Sequence, residues 1–285
     1  MEKIVVTGGS GKAGRAVVRD LLDHGYDILN VDLQPPPERL TRFLRVDLTD
    51  FGQTVEVLHG ADAVVHLAAI PSGGIQTEEV TFRVNIGSTY NVFSAAALVG
   101  LRRVVWASSE TTLGLPFDDP PPAYAPIDEE HPLYPNSSYA LSKVLMEVMA
   151  RQFSRRTGLP IVGLRFSNIM EPHDYERFPG FWDDPTLRKW NLWGYVDARD
   201  VAQSCRLALE ADIAGAEAFI IAAADTVMDR PNRELMAEVF PGVPLREGVG
   251  DFETLLSIDK ARRLLGYGPQ HSWRDHVGEA GASRR

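Results

Sequence analysis

The stretch Ile4–Gly14, IVVTGGSGKAG, decides how the rest of this chain is read. Ile4, Val5 and Val6 form an apolar, β-branched run of the kind that fills a short buried strand, and Thr7 with the glycines then turns the chain tightly. From Ala13 the segment AGRAVVRDLLDHG sets Val17, Val18, Leu21 and Leu22 at helical spacing, and Gly25 ends the run as a C-terminal glycine. Strand, glycine turn and helix in immediate succession make a dinucleotide-binding layout.

Gly8, Gly11 and Gly14 carry no Cβ, so a pyrophosphate can approach bare amide N–H groups and the positive end of the helix. Three glycines alone are weak evidence, because glycine turns occur wherever a chain reverses. Context strengthens them. A second apolar strand, Asp27 to Val31, ends on Asp32, close to the distance at which an acid meets the adenosine ribose hydroxyls. The competing reading is a plain βαβ unit with Asp32 solvated.

The 285 residues are enough for one large core, or one core with a small appended lobe. At 44% hydrophobic and 24% charged the composition is that of a soluble globular protein. No stretch approaches the roughly 20 apolar residues that span a bilayer. The chain enters its first strand without a signal-peptide pattern, which implies a cytoplasmic protein with no membrane partner. A net charge of −10 argues against nucleic acid, whose phosphates call for a basic face. The single cysteine, Cys205, excludes an intramolecular disulfide framework and reads as a small buried hydrophobe in a helix. The seven histidines show no metal-ligand spacing, so no metal is expected.

Strands and helices alternate through the first two thirds of the chain, the pattern of a parallel sheet covered on both faces. Phe43 to Val46, Ala63 to Leu67, Arg102 to Ala107, Leu159 to Phe166 and Ala218 to Ala222 read as further strands; Thr77 to Val99 and the segment from Ser137 to Gly158 read as helices. Between Glu110 and Ser137 lies a long proline-rich loop, read as a structured rim to a site. Residues 169 to 194 carry aromatics and charges without a period, which suits a binding lobe; Trp182, Trp190 and Trp193 pack that lobe or stack on a ring.

Tyr139 and Lys143 are four apart on the second of those helices, so they project from one face about a turn from each other. A free phenol has a pKa near 10 and is almost wholly protonated at neutral pH, and a neighbouring ammonium favours the phenolate. Ser109, at the carboxyl end of a strand, can polarise a C–O group beside them. YxxxK alone arises by chance in many helices. The order of motifs changes that: glycine turn, Asp32, HLAA, SS at a strand end, then YALSK. In this combination, over nearly the whole chain, the sequence resembles the extended short-chain dehydrogenase/reductase superfamily, the NAD-dependent epimerase/dehydratase family.

The resemblance implies an α/β fold, a doubly wound parallel sheet (Rossmann fold) with a small C-terminal substrate-binding lobe. Residues 1–168, with 195–222 returning to them, would form the cofactor domain, and 169–194 with 223–285 the lobe. TGGSGKAG resembles the family's TGxxGxxG turn, which implies that Gly8, Gly11, Lys12, Ala13 and Gly14 meet the pyrophosphate of NAD. Asp32 would bind the ribose and favour NAD over NADP, Asp47 and Leu48 would flank the adenine, and Leu67, Ala68 and Ala69 would run along the cofactor. Asn85 matches a family asparagine behind the site, structural or catalytic. Ser109, Tyr139 and Lys143 match the catalytic triad, Lys143 also holding the nicotinamide ribose, while Thr111 and Asn168 would meet substrate. A homodimer through the helices at 77–100 and 138–157 is implied too.

Two features depart from nucleotide-sugar epimerases. Leu113 stands in SSETTLG where a substrate-facing tyrosine is common, and the tail is short. A smaller polar substrate, a free uronic or aldonic sugar, gains from both. The expectation is hydride transfer between NAD and a secondary alcohol or ketone of a sugar or nucleotide sugar, as an epimerase, a dehydrogenase or a carbonyl reductase. A dehydratase is disfavoured because Glu110 is offset from the paired acids such enzymes use. A non-catalytic dinucleotide sensor is the rival from another class.

Overall fold

The computed structural model describes residues 1–276. Seven strands form one parallel sheet: β1 (Lys3–Thr7), β2 (Asp27–Asp32), β3 (Arg42–Arg45), β4 (Ala63–His66), β5 (Arg103–Ser109), β6 (Ile161–Phe166) and β9 (Ala216–Ile221). Their order is β3-β2-β1-β4-β5-β6-β9, so the winding reverses between β1 and β4, and a crevice opens there at the carboxyl ends of the strands. Alternation along β1 explains why both faces are covered. Ile4 and Val6 enter the core shared with α1 (Lys12–Asp23) and α5 (Ala198–Glu210), while Val5 enters the core shared with α2 (Phe51–Leu58), α3 (Glu78–Val99) and α4 (Ser138–Thr157).

Several elements differ from the sequence expectation at their ends. β6 begins at Ile161, because Pro160 has no N–H to give the ladder and contributes only its carbonyl, which accepts from Val104 N. β9 lies two residues earlier than expected at its start, pairing Ala216 with Ile161. β5 begins one residue later than expected, at Arg103, and ends on Ser108 and Ser109 as expected. The short helix α2 has no long periodic pattern to announce it; Asp50 starts it by accepting from Gln53 N at 3.0 Å.

The apolar stripe of α4 also lies differently from a core stripe. Leu141, Leu145 and Val148 point away from the protein, and the buried face carries Tyr139, Lys143, Met146, Glu147, Ala150 and Phe153. Residues 169–194 form a two-residue strand, β7 (Ile169–Met170), paired with β8 (Val196–Asp197), and two irregular 3-10 stretches between them. Trp193 is fully buried there, and Trp182 and Trp190 pack against the main core. Two helices, α6 (Asn232–Val239) and α7 (Asp259–Leu265), complete the C-terminal part; the expected lobe beyond residue 276 lies outside the described residues. The rim loop is tied to this part, Ala125 N donating to Pro244 O at 2.9 Å and Ile127 N to Leu255 O at 2.8 Å. No helix among the described residues is long and apolar enough to cross a membrane.

Candidate active site

The turn after β1 is closed by sterics. Gly8 has φ +70°, and a Cβ there would lie 2.6 Å from the backbone nitrogen of Ala68, so the turn and the segment after β4 touch backbone to backbone. Gly14, on the first turn of α1, lies so close to Gly8 O and Gly9 that a side chain has no room. Gly11 N donates to Gly8 O at 3.1 Å and Gly11 caps α1. The result is a shallow cradle with the helix N-terminus at its floor, which fits a pyrophosphate. Asp32 stands beside it, its carboxylate accepting from Ser10 N at 3.1 Å and from Gln34 N at 3.2 Å. Ala13 lies at the same helix start. Lys12 does too, but its ammonium points out of the cradle to Asp174 at 2.6 Å.

The flanking residues have clear local work. Leu67 N donates to Thr7 O at 3.0 Å and Ala68 N to Thr7 Oγ1 at 3.3 Å, with Ala69 next in line. Asn85, fully buried, clamps the following turn by both amide groups: Oδ1 accepts from Ile70 N at 2.8 Å and Nδ2 donates to Ile70 O at 3.0 Å. Its structural role is thereby explicit. Asp47 closes a turn on Thr49, and the carbonyl of the buried Leu48 accepts from Asn91 Nδ2 at 2.9 Å. His66, in the HLAA segment, sits between Thr7 Oγ1 at 2.7 Å and Thr89 Oγ1 at 3.1 Å, and burial holds its pKa down at about 3, so it is neutral.

Ser109, Tyr139 and Lys143 meet at the carboxyl end of β5, all three buried. Ser137 caps α4 through Ala140 N and so fixes where Tyr139 stands. A buried ion pair fastens the same helix to the sheet: Glu147 accepts from Arg165 of β6 at 2.8 Å and from Ser108 Oγ of β5 at 2.7 Å. Lys143 Nζ donates to Ala107 O at 2.7 Å and lies 5.5 Å from the centre of the Tyr139 ring. Burial lowers the lysine to about 8 and raises the phenol to about 12, with Ser109 drawing the phenol back and Glu110 pushing it further up. Desolvation is the largest of these effects, and it favours the protonated phenol, a hydrogen-bond donor. Ser109 Oγ accepts from Thr111 N at 3.2 Å and from Thr111 Oγ1 at 3.0 Å, so Thr111 orients the serine.

Asn168, just after β6, receives a neighbour that sequence reasoning missed. Arg188 donates to its Oδ1 at 3.3 Å from the aperiodic segment, where no spacing marks one arginine above another. Glu110 is buried beside the triad and accepts from Ser167 Oγ at 2.6 Å and Asn191 Nδ2 at 3.2 Å. Among the described residues one trio with metal-ligand chemistry, Glu171, His173 and Asp174, comes within 4.8 Å, but its carboxylates already hold Arg15 and Lys12.

Comparison with known proteins agrees with this architecture. The family model described as "NAD dependent epimerase/dehydratase family" matches residues 4–222. A UDP-glucose 4-epimerase of Corynebacterium glutamicum is 26% identical over 95% of this chain and 92% of its own. An L-arabinose 1-dehydrogenase (NAD(P)(+)) of Haloferax volcanii is 30% identical over 75% of this chain and 84% of its own. Among solved structures, a short-chain dehydrogenase/reductase superfamily protein of Agrobacterium tumefaciens with bound NAD superposes with a TM-score of 0.74 at 25% identity, covering 100% of this chain and 97% of the other. With the motifs in family order on a doubly wound sheet, the chain belongs to the NAD-dependent epimerase/dehydratase family and its cofactor is NAD.

Proposed function

We propose that this protein moves hydride between the nicotinamide and a secondary alcohol or ketone of a sugar-like substrate, with Tyr139 as the acid–base group. The observation that carries the reading is the convergence of Ser109, Tyr139 and Lys143 at the end of β5, beside a glycine turn that only bare backbone can form. Gly8, Gly11, Ala13, Gly14 and the main chain of Lys12 face the pyrophosphate, and Asp32 the ribose. When bound, the dinucleotide supplies the hydride acceptor or donor. In ketone reduction the Tyr139 phenol gives its Oη proton to the carbonyl oxygen; in alcohol oxidation the minor phenolate form, paired with the Lys143 ammonium, takes the hydroxyl proton and becomes the phenol. Ser109 donates to the same oxygen, and Thr111 holds Ser109 in place. Lys143, cationic over most of the neutral range, stabilises the transient phenolate. Asn168 faces the substrate from the lobe side, and residues 1–168 with 195–222 serve the cofactor while 169–194 and the later C-terminal part serve the substrate.

Leu113 favours a dehydrogenase on a free sugar or sugar acid over a nucleotide-sugar epimerase, because its side chain is fully buried in the main core. A homodimer through α3 and α4 is supported by Tyr90, Leu98, Leu141, Leu145 and Val148, which remain 39–67% exposed. Leu141→Glu combined with Leu145→Glu is expected to give a monomer by light scattering. The reaction itself is tested by incubating the protein with NAD and a panel of uronic acids, simple sugars and UDP-sugars, following reduced nicotinamide by absorbance and sugars by NMR. Accumulating NADH identifies a dehydrogenase. Isomer exchange without NADH identifies an epimerase. Silence in both channels despite NAD binding contradicts the proposal and leaves a dinucleotide sensor.

A further inference from the structure

The acid–base chemistry above makes no use of the charge buried where β5 meets the 169–194 segment. Arg188 is 6% exposed, with its guanidinium carbon 4.5 Å from the centre of the Trp190 ring and 5.5 Å from that of Phe181. Its direct acceptors are neutral: Gly194 O at 2.8 Å and Asn168 Oδ1 at 3.3 Å, and its Nε has no partner. A buried guanidinium is costly without a counter-charge. The acid acting on it is Glu110, which reaches it only through neutral groups: Asn191 Nδ2 bonds both Glu110 Oε1 at 3.2 Å and the Gly194 carbonyl that Arg188 also holds, at 2.8 Å. The second Glu110 oxygen is taken by Ser167 Oγ. A cation beside the substrate-facing Asn168 is therefore compensated from a distance, with donor capacity left over.

We propose that Arg188, together with Asn168, is the subsite for a single carboxylate on the substrate, and that Glu110 takes up a proton when that carboxylate binds. The proposal rests on the sugar-substrate reading above and narrows it to sugar acids. One buried cation whose own acid becomes neutral balances one negative charge, which a carboxylate carries and a phosphate dianion exceeds. The planar guanidinium fork also matches a carboxylate's two oxygens.

The groups facing Glu110 are consistent with such an exchange. Burial outweighs the hydrogen bonds from Ser167, Asn191 and the Asn168 backbone and the charge of Arg188, and keeps Glu110 up at about 7. Arg188, lowered by desolvation to about 10, stays cationic, Tyr139 stays neutral, and Lys143, lowered to about 8, is turned to the Ala107 carbonyl and the Tyr139 ring. Ionised Glu110 already occupies Arg188 electrostatically and repels an incoming anion; protonated Glu110 leaves the cation to the ligand. Carboxylate affinity is thus high below pH 7 and falls as pH rises through that value, while the sugar acid itself, with a pKa of about 3 to 4, remains ionised throughout.

The test is calorimetric titration of the full chain, with NADH present so that the probe has no hydride acceptor, using D-glucuronate, D-glucose and glucose 6-phosphate. D-glucuronate is expected to bind on the order of fivefold more tightly at pH 6 than at pH 8, with proton uptake at pH 8 seen as a buffer-dependent heat, and glucose to show neither effect. Glu110→Gln keeps an acceptor for Asn191 and is expected to abolish the pH step and the proton uptake; Arg188→Met is expected to erase the preference for D-glucuronate over glucose. The proposal is overturned by wild-type protein that binds D-glucuronate without a pH step, by a step that persists in Glu110→Gln, or by stronger binding of glucose 6-phosphate. Should Glu110→Gln fail to fold, proton uptake by the wild-type protein decides alone. Turnover of neutral sugars without any preference for D-glucuronate sinks the subsite and leaves the hydride-transfer reading standing. Failure of the whole panel to react sinks that reading instead.

Discussion

On the cofactor side of the cleft, the turn between Ile4 and Asp32 is shaped by neighbours in sequence and on adjacent strands: Gly11 bonds Gly8, Gly14 packs on Gly9, and Asp32 holds Ser10. The wall from Ser167 to Gly194, proposed to face the substrate, is held by side-chain pairs drawn from distant parts of the chain, Lys12 to Asp174, Arg15 to Glu171, Glu110 to Ser167 and Asn191. The first is a steric solution. A Cβ cannot be accommodated by partial relaxation where backbone meets backbone. The second is a polar solution, in which each exposed or half-exposed pair contributes about 1 kcal/mol or less and can be exchanged. One scaffold can therefore keep its dinucleotide cradle fixed while the opposite wall changes.

Substitutions on the two sides should differ accordingly. Gly14→Val, which puts a side chain against Gly8 and Gly9, is expected to abolish NAD binding and to destabilise the fold by about 3 kcal/mol or more, read by cofactor titration and thermal unfolding. Near-normal NAD affinity in that variant would break the steric half of the comparison. At the seam between the sides, Tyr139→Phe removes only the proton carrier. Turnover should fall by about 10²- to 10⁴-fold with NAD affinity retained, and wild-type turnover would remove Tyr139 from the mechanism.

Asp32→Ala should weaken NAD by about tenfold, the scale of a hydrogen bond to a charged group, and NADP by less. Equal losses for the two dinucleotides would reduce Asp32 to its bonds with Ser10 and Gln34. The smallest effect on NAD affinity is expected from Asp174→Asn on the polar side. Lys12 is 39% exposed though Asp174 is only 7%, so loss of the pair should cost about 1 to 2 kcal/mol in thermal unfolding and leave NAD affinity nearly unchanged. A large loss of NAD affinity there would show that the lobe props the cradle, and would merge the two regions into one.

The same contrast explains what the sequence revealed. Gly8, Gly14 and Asp32 were legible because a steric requirement within one βαβ unit leaves a local signature. Tyr139 and Lys143 were legible because a helix turns every fourth residue to the same face. Glu110 stood in view beside Ser109, but its partners lie 57 and 81 residues away, and nothing at Arg188 or Asn191 marks them before the chain is folded. The phenol's raised pKa was hidden for a related reason: the spacing shows Lys143, while the desolvation that raises the phenol comes from the packed core. On α4 the stripe Leu141, Val144, Leu145 and Val148 was visible, but periodicity does not say whether an apolar face is covered by its own chain; three of these four side chains are exposed.

The central claim, hydride transfer at the Ser109–Tyr139–Lys143 site, is tested most directly by a quenched single turnover with NAD and sugars carrying deuterium on every carbon. Mass spectrometry of the recovered nicotinamide is predicted to show the gain of one deuterium with a sugar of the uronic, simple or nucleotide-linked class, and none with Tyr139→Phe over the same time. Nicotinamide that stays unlabelled with every sugar, with no sugar converted to its epimer while NAD remains bound, would contradict the account.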